Sequence, residues 1–149
     1  MQISFVIPAH NEAVTLKNLI NSIKANVELD FECIVVDNGS TDATQSVALE
    51  AGAQVIHLQE KVFPSVARNI GSRHAKGEIL VFLDGDTRLT VEWGETLKRE
   101  VSELIKNPMI LTGARVVTPE REKCSWIETY WFAPMAEDPV SYINGANII

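Results

Sequence analysis

Five consecutive apolar residues, ILVFL at positions 79–83, are followed directly by the acidic turn Asp84-Gly85-Asp86. A short apolar run bounded by turn residues is typical of a strand that is buried on both faces. In a near-extended turn Asp84 and Asp86 can point the same way, and Gly85 has no side chain to obstruct a ligand. Such a pair suits a hard divalent cation, particularly when phosphate oxygens complete its coordination. The simpler interpretation is a strand followed by an ordinary Asp-Gly turn.

Three further apolar runs precede this segment and predict three more strands. They cover residues 3–7, 31–36 and 54–58. The first strand is expected to end at Pro8, because proline cannot donate to a sheet ladder. The second is followed by the polar turn at residues 37–42, so two of the predicted strands end in acidic turns.

Stretches of helical periodicity separate the strands and predict four helices. The capping or opening residues are Asn11 for the first, Ser40, Thr41 or Asp42 for the second, Pro64 for the third and Thr90 for the fourth. The residues expected to face inward are Leu16, Leu19, Ile20 and Ile23; Ala43, Val47 and Ala51; Val66, Ile70 and Ala75; and Trp93, Leu97, Val101, Leu104 and Ile105. Asn107 and Pro108 end the fourth helix, and a strand is predicted at about 109–117.

This alternation predicts an α/β fold, an open and mostly parallel Rossmann-like sheet flanked by helices in a three-layer α/β/α arrangement. In such sheets ligands bind outside the carboxyl ends of the strands. We therefore expect the turns at residues 8–12, 37–42 and 84–86 to converge along one rim. That convergence is a stronger indication of a site than any single turn.

Composition limits the class of protein. The chain has 149 residues, 46% hydrophobic and 22% charged, which fits one globular domain with a substantial core. No apolar run approaches the roughly 20 residues of a membrane span, and the N-terminus lacks the basic start of a signal peptide. A net charge of -7 argues against a nucleic-acid binder. We expect a cytoplasmic protein, with a peripheral position at the inner face of a membrane left open.

The histidines and cysteines carry little functional signal. His10 lies in the first rim turn and can touch a ligand, whereas His57 and His74 have no partner at zinc-ligand spacing and are interpreted as structural or solvated. Cys33 and Cys124 also lack metal-ligand spacing, and Cys33 sits in an apolar run. Structural roles are therefore predicted for both thiols.

The C-terminal part changes in character. Its aromatic residues cluster at near-helical spacing: Trp126, Tyr130, Trp131 and Phe132. They are interpreted as core, the alternative being a surface that meets an acceptor, a lipid or a partner. The last residues, 146–149, look like the start of a strand, so we expect a fragment of a longer protein.

Four sequence blocks now stand in order, at residues 6–12 (VIPAHNE), 35–42 (VVDNGSTD), 67–77 (ARNIGSRHAKG) and 82–86 (FLDGD). Together they resemble the family 2 glycosyltransferases of GT-A fold, which transfer a sugar from a nucleotide-sugar donor with inversion. The resemblance is dense over residues 3 to about 90. It implies a single GT-A domain over residues 1–149, truncated at its C-terminal end. Residues 1–90 would be the nucleotide-binding part and 109–149 the start of the acceptor-side part.

The resemblance also implies roles for matching positions. Those matching the family's nucleotide-binding residues are Pro8, Ala9, Asn11, Glu12, Asp37, Asn38, Arg68, Asp84 and Gly85. Asp86 matches the residue that ligates Mn²⁺ or Mg²⁺ directly, Asp84 the one that contacts ribose or metal-bound phosphate, and Arg68 an arginine near the diphosphate. Asn144, Gly145 and Asn147 resemble the acceptor-side loop. Many members carry Asp-Asp where this chain has Asp37-Asn38, so base selectivity does not carry over.

Inverting transfer also needs a general base beside the acceptor hydroxyl. The resemblance implies that this base lies beyond Ile149, and the acidic side chains of Glu128, Glu137 and Asp138 are interpreted as solvated surface. We therefore expect the isolated chain to bind nucleotide and metal but to transfer sugar weakly or not at all.

Other classes of protein fit less well. A nucleotidyltransferase, a P-loop enzyme or a dinucleotide-binding domain would carry a glycine-rich loop after the first strand, which residues 8–12 do not. A non-catalytic nucleotide-sugar-binding or interaction module remains the alternative. The donor is expected to be UDP- or GDP-linked, and the acceptor, whether sugar, lipid or protein, is open. No nucleic-acid partner is expected, and membrane association only through parts outside this chain or through the aromatic segment at 126–132.

Overall fold

The computed structural model describes residues 3–106 and 147–148. Along these ranges the elements are β1 (Ile3–Ala9), α1 (Ala13–Asn26), β2 (Phe31–Asn38), α2 (Thr44–Glu50), β3 (Gln54–Leu58), α3 (Pro64–His74), β4 (Ile79–Leu83), α4 (Val91–Lys106) and β5 (Asn147–Ile148). The strand expected at 109–117, the helix stop at Asn107 and Pro108, the aromatic cluster and Cys124 lie outside the described residues. No helix in the described part of the chain has the length and hydrophobicity that crossing a membrane requires.

The strands form one sheet in the order β3-β2-β1-β4-β5. The first four are parallel, and β5 runs antiparallel to β4. Helices α1, α2 and α4 pack on one face through a buried cluster that includes Phe5 of β1, Ile20 of α1, Ala48 of α2 and Leu97 of α4. Helix α3 packs against β1 and β2 on the other face. The predicted α/β/α arrangement with a mostly parallel sheet is confirmed.

Pro8 lies inside β1, so the prediction that it ends the strand was wrong. It sits opposite Val36 of β2. The N–H of Ile3 donates to Asp30 O on the β2 side. Because backbone groups alternate in direction along a strand, the backbone nitrogen of Pro8 faces the β4 side. The ladder between β1 and β4 stops at Val6. Because no ladder bond is required there, the missing N–H costs nothing.

The inward face of α3 was also predicted incorrectly. Its buried residues are Ala67 and Gly71, whereas Val66 is exposed and Ala75 follows the helix. A Cβ built on Gly71 would lie 2.4 Å from Cγ1 of Val6. The backbone of α3 therefore lies close to the sheet, and only small residues fit between the helix and the strands.

Two other helices differ in detail from their predicted faces. In α2 the buried residues are Thr44 and Ala48 rather than the face that begins at Ala43. This shift of one position follows from where the helix starts, which periodicity fixes poorly. In α4 Leu97 and Val101 are buried as predicted, but Ile105 is exposed in the last turn of the helix.

Strand β4 has the predicted bounds but is not buried on both faces. Ile79, Val81 and Leu83 are buried, whereas Leu80 and Phe82 are half-buried. Helix α3 packs against β1 and β2, so among the described elements it leaves this face of β4 partly open.

Cys33 is buried in the core, as predicted for a structural thiol. Burial raises the pKa of this thiol to about 12, so it stays protonated and unreactive at neutral pH.

Candidate functional site

The three polar turns meet at the carboxyl end of the sheet around an open cleft of about 520 Å³. The predicted site residues that line it are Pro8, Ala9, Glu12, Asn38, Arg68, Asp84, Gly85 and Asp86. His10, Lys61 and Pro64 line it as well. The convergence expected from the strand order is therefore present, with contributions from the ends of β1, β2 and β4 and from the start of α3.

Asn11 does not cap α1, contrary to the prediction. It has a left-handed backbone (φ 55°), and its Oδ1 accepts a hydrogen bond from the N–H of Thr41 at 2.8 Å. In return, the Asn11 N–H donates to Ser40 Oγ at 3.0 Å, and the Glu12 N–H donates to Thr44 Oγ1 at 2.8 Å. The turns after β1 and β2 are thus joined by side chains, and the first amide of α1 is satisfied from the second turn, since the Ala13 N–H donates to Asp42 Oδ2 at 3.3 Å.

Asp37 is buried, with 1% of its surface exposed, and is not among the residues that line the cleft. Its Oδ1 accepts from the N–H of Ser40 at 3.1 Å, and its Oδ2 lies 2.8 Å from Nδ1 of His57 on β3. The structure therefore places this carboxylate behind the rim. His57 has a structural partner, in agreement with its interpretation as a structural residue.

Three carboxylates line the cleft, and the cationic groups beside them are the guanidinium of Arg68 and the ammonium of Lys61. Arg68 Nη2 forms an ion pair with Asp84 Oδ1. Burial, and then the negative charges of Asp86 and Asp84, raise the pKa of Glu12 to about 7. Burial also raises the pKa of Asp84, and this effect outweighs the attraction of Arg68. The cleft is therefore short of positive charge around its carboxylates.

The Glu12 carboxylate lies directly over the acidic turn. A Cβ built on Gly85 would be 2.1 Å from Glu12 Oε2, and this buried oxygen has no hydrogen-bond partner in the described part of the protein. Arg68 Nε is likewise buried without a partner there. Within the described ranges, no group of three or more His, Cys, Asp or Glu side chains could hold a metal ion by itself.

We expect Glu12→Gln to stabilise the metal-free protein increasingly as pH rises. The pKa of Glu12 is about 7 in the folded chain against 4.5 as the ordinary value, so the folded state holds this proton more tightly. Ionisation of Glu12 therefore lowers the free energy of unfolding progressively as the pH rises from 4.5 to about 7. The neutral amide of glutamine avoids that loss. Because Glu12 is only half-buried and water screens the repulsion, the gain at pH 8 should be about 1 kcal/mol.

Urea unfolding in chelator-treated buffer at about pH 4.5 and about pH 8 measures this effect. Glu50→Gln, at an exposed position of α2, is the control and should show no such difference. An equal effect of Glu12→Gln at both pH values would contradict the electrostatic origin.

Sequence analysis did not predict Lys61 as a cleft residue, and it assigned Pro64 only to the start of α3. Lys61 lies in the connection between β3 and α3, where no periodicity or motif marks it. Of the predicted acceptor-side residues, Asn147 lies in β5 opposite Leu83. The others, Asn144 and Gly145, fall outside the described residues, as do Glu128, Glu137 and Asp138.

Sequence comparisons relate the chain to known proteins. The sequence profile of Glycosyl transferase family 2 matches residues 4–138. Glycosyltransferase AglE of Haloferax volcanii is 32% identical over 121 residues, which cover 76% of this chain and 39% of that protein. Glucosyl-3-phosphoglycerate synthase of Mycobacterium tuberculosis is 38% identical over 120 residues, covering 70% of this chain and 37% of that protein. The chain thus spans less than two fifths of either relative.

Solved structures show the same fold. The Mycobacterium tuberculosis synthase in complex with Mn²⁺, UDP and glucosyl-3-phosphoglycerate has a TM-score of 0.56 at 31% identity, covering 74% of this chain and 42% of that one. The mannosyltransferase PcManGT of Pyrobaculum calidifontis has a TM-score of 0.71 at 24% identity, covering 98% and 43%. The fold is that of the GT-A glycosyltransferases, and with the profile match over most of its length the chain belongs to glycosyl transferase family 2.

Proposed function

We propose that this chain forms the donor-binding part of an inverting glycosyltransferase that uses a UDP- or GDP-linked sugar. The observation that carries the proposal is the convergence of Glu12, Asp84, Asp86 and Arg68 in one cleft at the carboxyl end of the sheet. The related synthase from Mycobacterium tuberculosis binds UDP and Mn²⁺, which supports a nucleotide and a divalent cation here. The acceptor, whether sugar, lipid or protein, stays open.

The residues of the cleft fit a divalent cation. Glu12 has a buried oxygen without a partner in the described part of the protein, and mutual repulsion contributes to the raised pKa values of Glu12 and Asp84. A cation would relieve that repulsion, and carboxylate oxygens are the ligands that Mn²⁺ and Mg²⁺ prefer. Asp86 and Asp84 would hold the ion. When bound, it neutralises negative charge that develops on the departing diphosphate.

The remaining cleft residues would bind and orient the donor. Arg68 offers forked donors suited to phosphate, although its pairing with Asp84 must loosen or be shared for that contact. Nucleoside contacts are proposed for Pro8 and Ala9 at the end of β1 and for Asn11 in the turn that follows. Asp37 would act on the base only if its carboxylate turned from His57 toward the cleft, and otherwise supports the rim from behind.

The acceptor side is proposed to involve Asn144, Gly145 and Asn147, with the general base beyond Ile149. The chain spans less than two fifths of the two relatives. This supports an activity that needs more of the protein than these residues. We therefore propose that the isolated chain binds donor and metal but transfers sugar weakly or not at all.

Calorimetric titration of the chain with UDP and with GDP, each with and without Mn²⁺, tests the proposal. Binding of one nucleotide that requires the metal is expected, together with little or no turnover of the matching nucleotide sugar. Absence of binding to UDP and GDP alike would contradict donor binding. Robust transfer would contradict the proposed position of the general base beyond Ile149. If a longer form of the protein also binds the nucleotide without transferring sugar, the result would favour a non-catalytic nucleotide-sugar-binding module.

A further inference from the structure

The side chain of Asn38 joins the end of β2 to the segment that precedes α3. Its Nδ2 donates to Val62 O at 2.9 Å, and its Oδ1 accepts from the N–H of Val62 at 2.8 Å. Asn38 is buried, with 4% of its surface exposed. The nitrogen and the oxygen of the Asn38 amide therefore bind the C=O and the N–H of Val62. This pairing requires a donor and an acceptor in the same side chain.

A second contact holds the same segment. A Cβ built on Gly39 would lie 3.0 Å from Lys61 N and 3.1 Å from Glu60 C, so the backbone of residues 60–61 packs directly on this glycine. Gly39 also has a positive φ of 70°, a conformation that favours glycine. Together, Asn38 and Gly39 fix residues 60–62 against the end of β2.

The fixed segment presents Lys61 to the cleft. Of the lysine and the arginine that line the cleft, Arg68 is paired with Asp84, whereas Lys61 has no ion pair among the described residues. An unpaired ammonium at the edge of an otherwise acidic cleft is available to an anionic ligand.

We propose that Lys61 is a second cationic contact for the donor diphosphate and that Asn38 is the positioning residue that holds it at the cleft. This inference rests on the proposed donor binding. It also accounts for asparagine at position 38, because an aspartate there would accept from the Val62 N–H but place a second carboxylate oxygen against Val62 O.

Limited trypsin digestion tests the positioning role without any nucleotide, since trypsin cleaves between Lys61 and Val62. Asn38→Asp and Asn38→Ala are expected to speed cleavage at this bond about tenfold, because cleavage follows the population of the locally opened segment. Cleavage after Lys17, an exposed residue of α1, is the internal control and should not change. Unchanged cleavage after Lys61, or equal acceleration at both bonds, would overturn the positioning role.

Titration with UDP and with uridine, in the presence of Mn²⁺, tests the phosphate contact; GDP and guanosine take their place if the chain binds GDP. Lys61→Ala is expected to weaken UDP binding about tenfold while leaving uridine binding unchanged. Lys17→Ala is the matched control for the loss of one positive charge. Equal weakening for UDP and uridine, or none for UDP, would overturn the contact.

A double-mutant cycle links the two residues. If Asn38 acts through Lys61, Asn38→Ala weakens UDP binding in the wild-type background but has little further effect in Lys61→Ala. Additive losses would overturn the link. Failure of the wild-type chain to bind any nucleotide would refute donor binding and the phosphate contact, while the trypsin result would still decide the positioning role.

Discussion

Asp86→Ala is expected to lower the affinity of the chain for its nucleoside diphosphate, UDP or GDP, in the presence of Mn²⁺ by about 100-fold or more. The three cleft carboxylates differ in their availability to a cation. Glu12 has a pKa raised to about 7, and Asp84 is paired with Arg68. Asp86 lines the same cleft with no hydrogen bond or ion pair among the described residues, so it is the carboxylate best placed to ligate the ion.

Calorimetry with and without Mn²⁺ measures this loss. Binding by the variant should be equally weak under both conditions, because the metal no longer contributes. Glu50→Ala removes an exposed negative charge from α2 and should bind as the wild-type chain does. Metal-dependent binding by Asp86→Ala that stays close to the wild-type affinity would show that the ion is held elsewhere.

Apolar runs were sufficient to predict β1 to β4 and their order along the chain. β3 and β4 have the predicted bounds, and the polar turns after β1, β2 and β4 meet at one rim as the rule for parallel sheets requires. These features depend on local sequence and on general topology. Strand ends were less accurate, as Pro8 shows, because the neighbouring ladder decides whether its missing N–H matters.

Features set by contacts between distant residues could not be predicted. Helix α3 faces the sheet with Ala67 and Gly71, whereas periodicity searches for large apolar residues. Asn11 takes a left-handed conformation because Thr41 and Ser40 bind it from another turn. The segment that carries Lys61 is bound by the amide of Asn38, through both backbone groups of Val62. In each case the partner lies far along the chain, and no local pattern identifies it.

Gly94→Ala is expected to lower the free energy of unfolding by about 2–3 kcal/mol. Helix propensity alone predicts the opposite sign, a gain of about 1 kcal/mol for alanine in a helix interior. The structure reverses it because a Cβ on Gly94 would lie 2.0 Å from Asn26 O, at the end of α1. This contact is with backbone, which cannot turn aside as a flexible side chain does.

The strain would spread because both sides of the contact are fixed. Asn26 Nδ2 donates to Ser22 O at 3.0 Å and to Leu89 O at 3.2 Å, and α4 buries Leu97 in the core. Urea unfolding of Gly94→Ala beside Glu95→Ala, an exposed neighbour in the same helix, separates packing from propensity. A Gly94→Ala protein as stable as wild type would mean that α1 and α4 can move apart freely, and that their close approach contributes little to the fold.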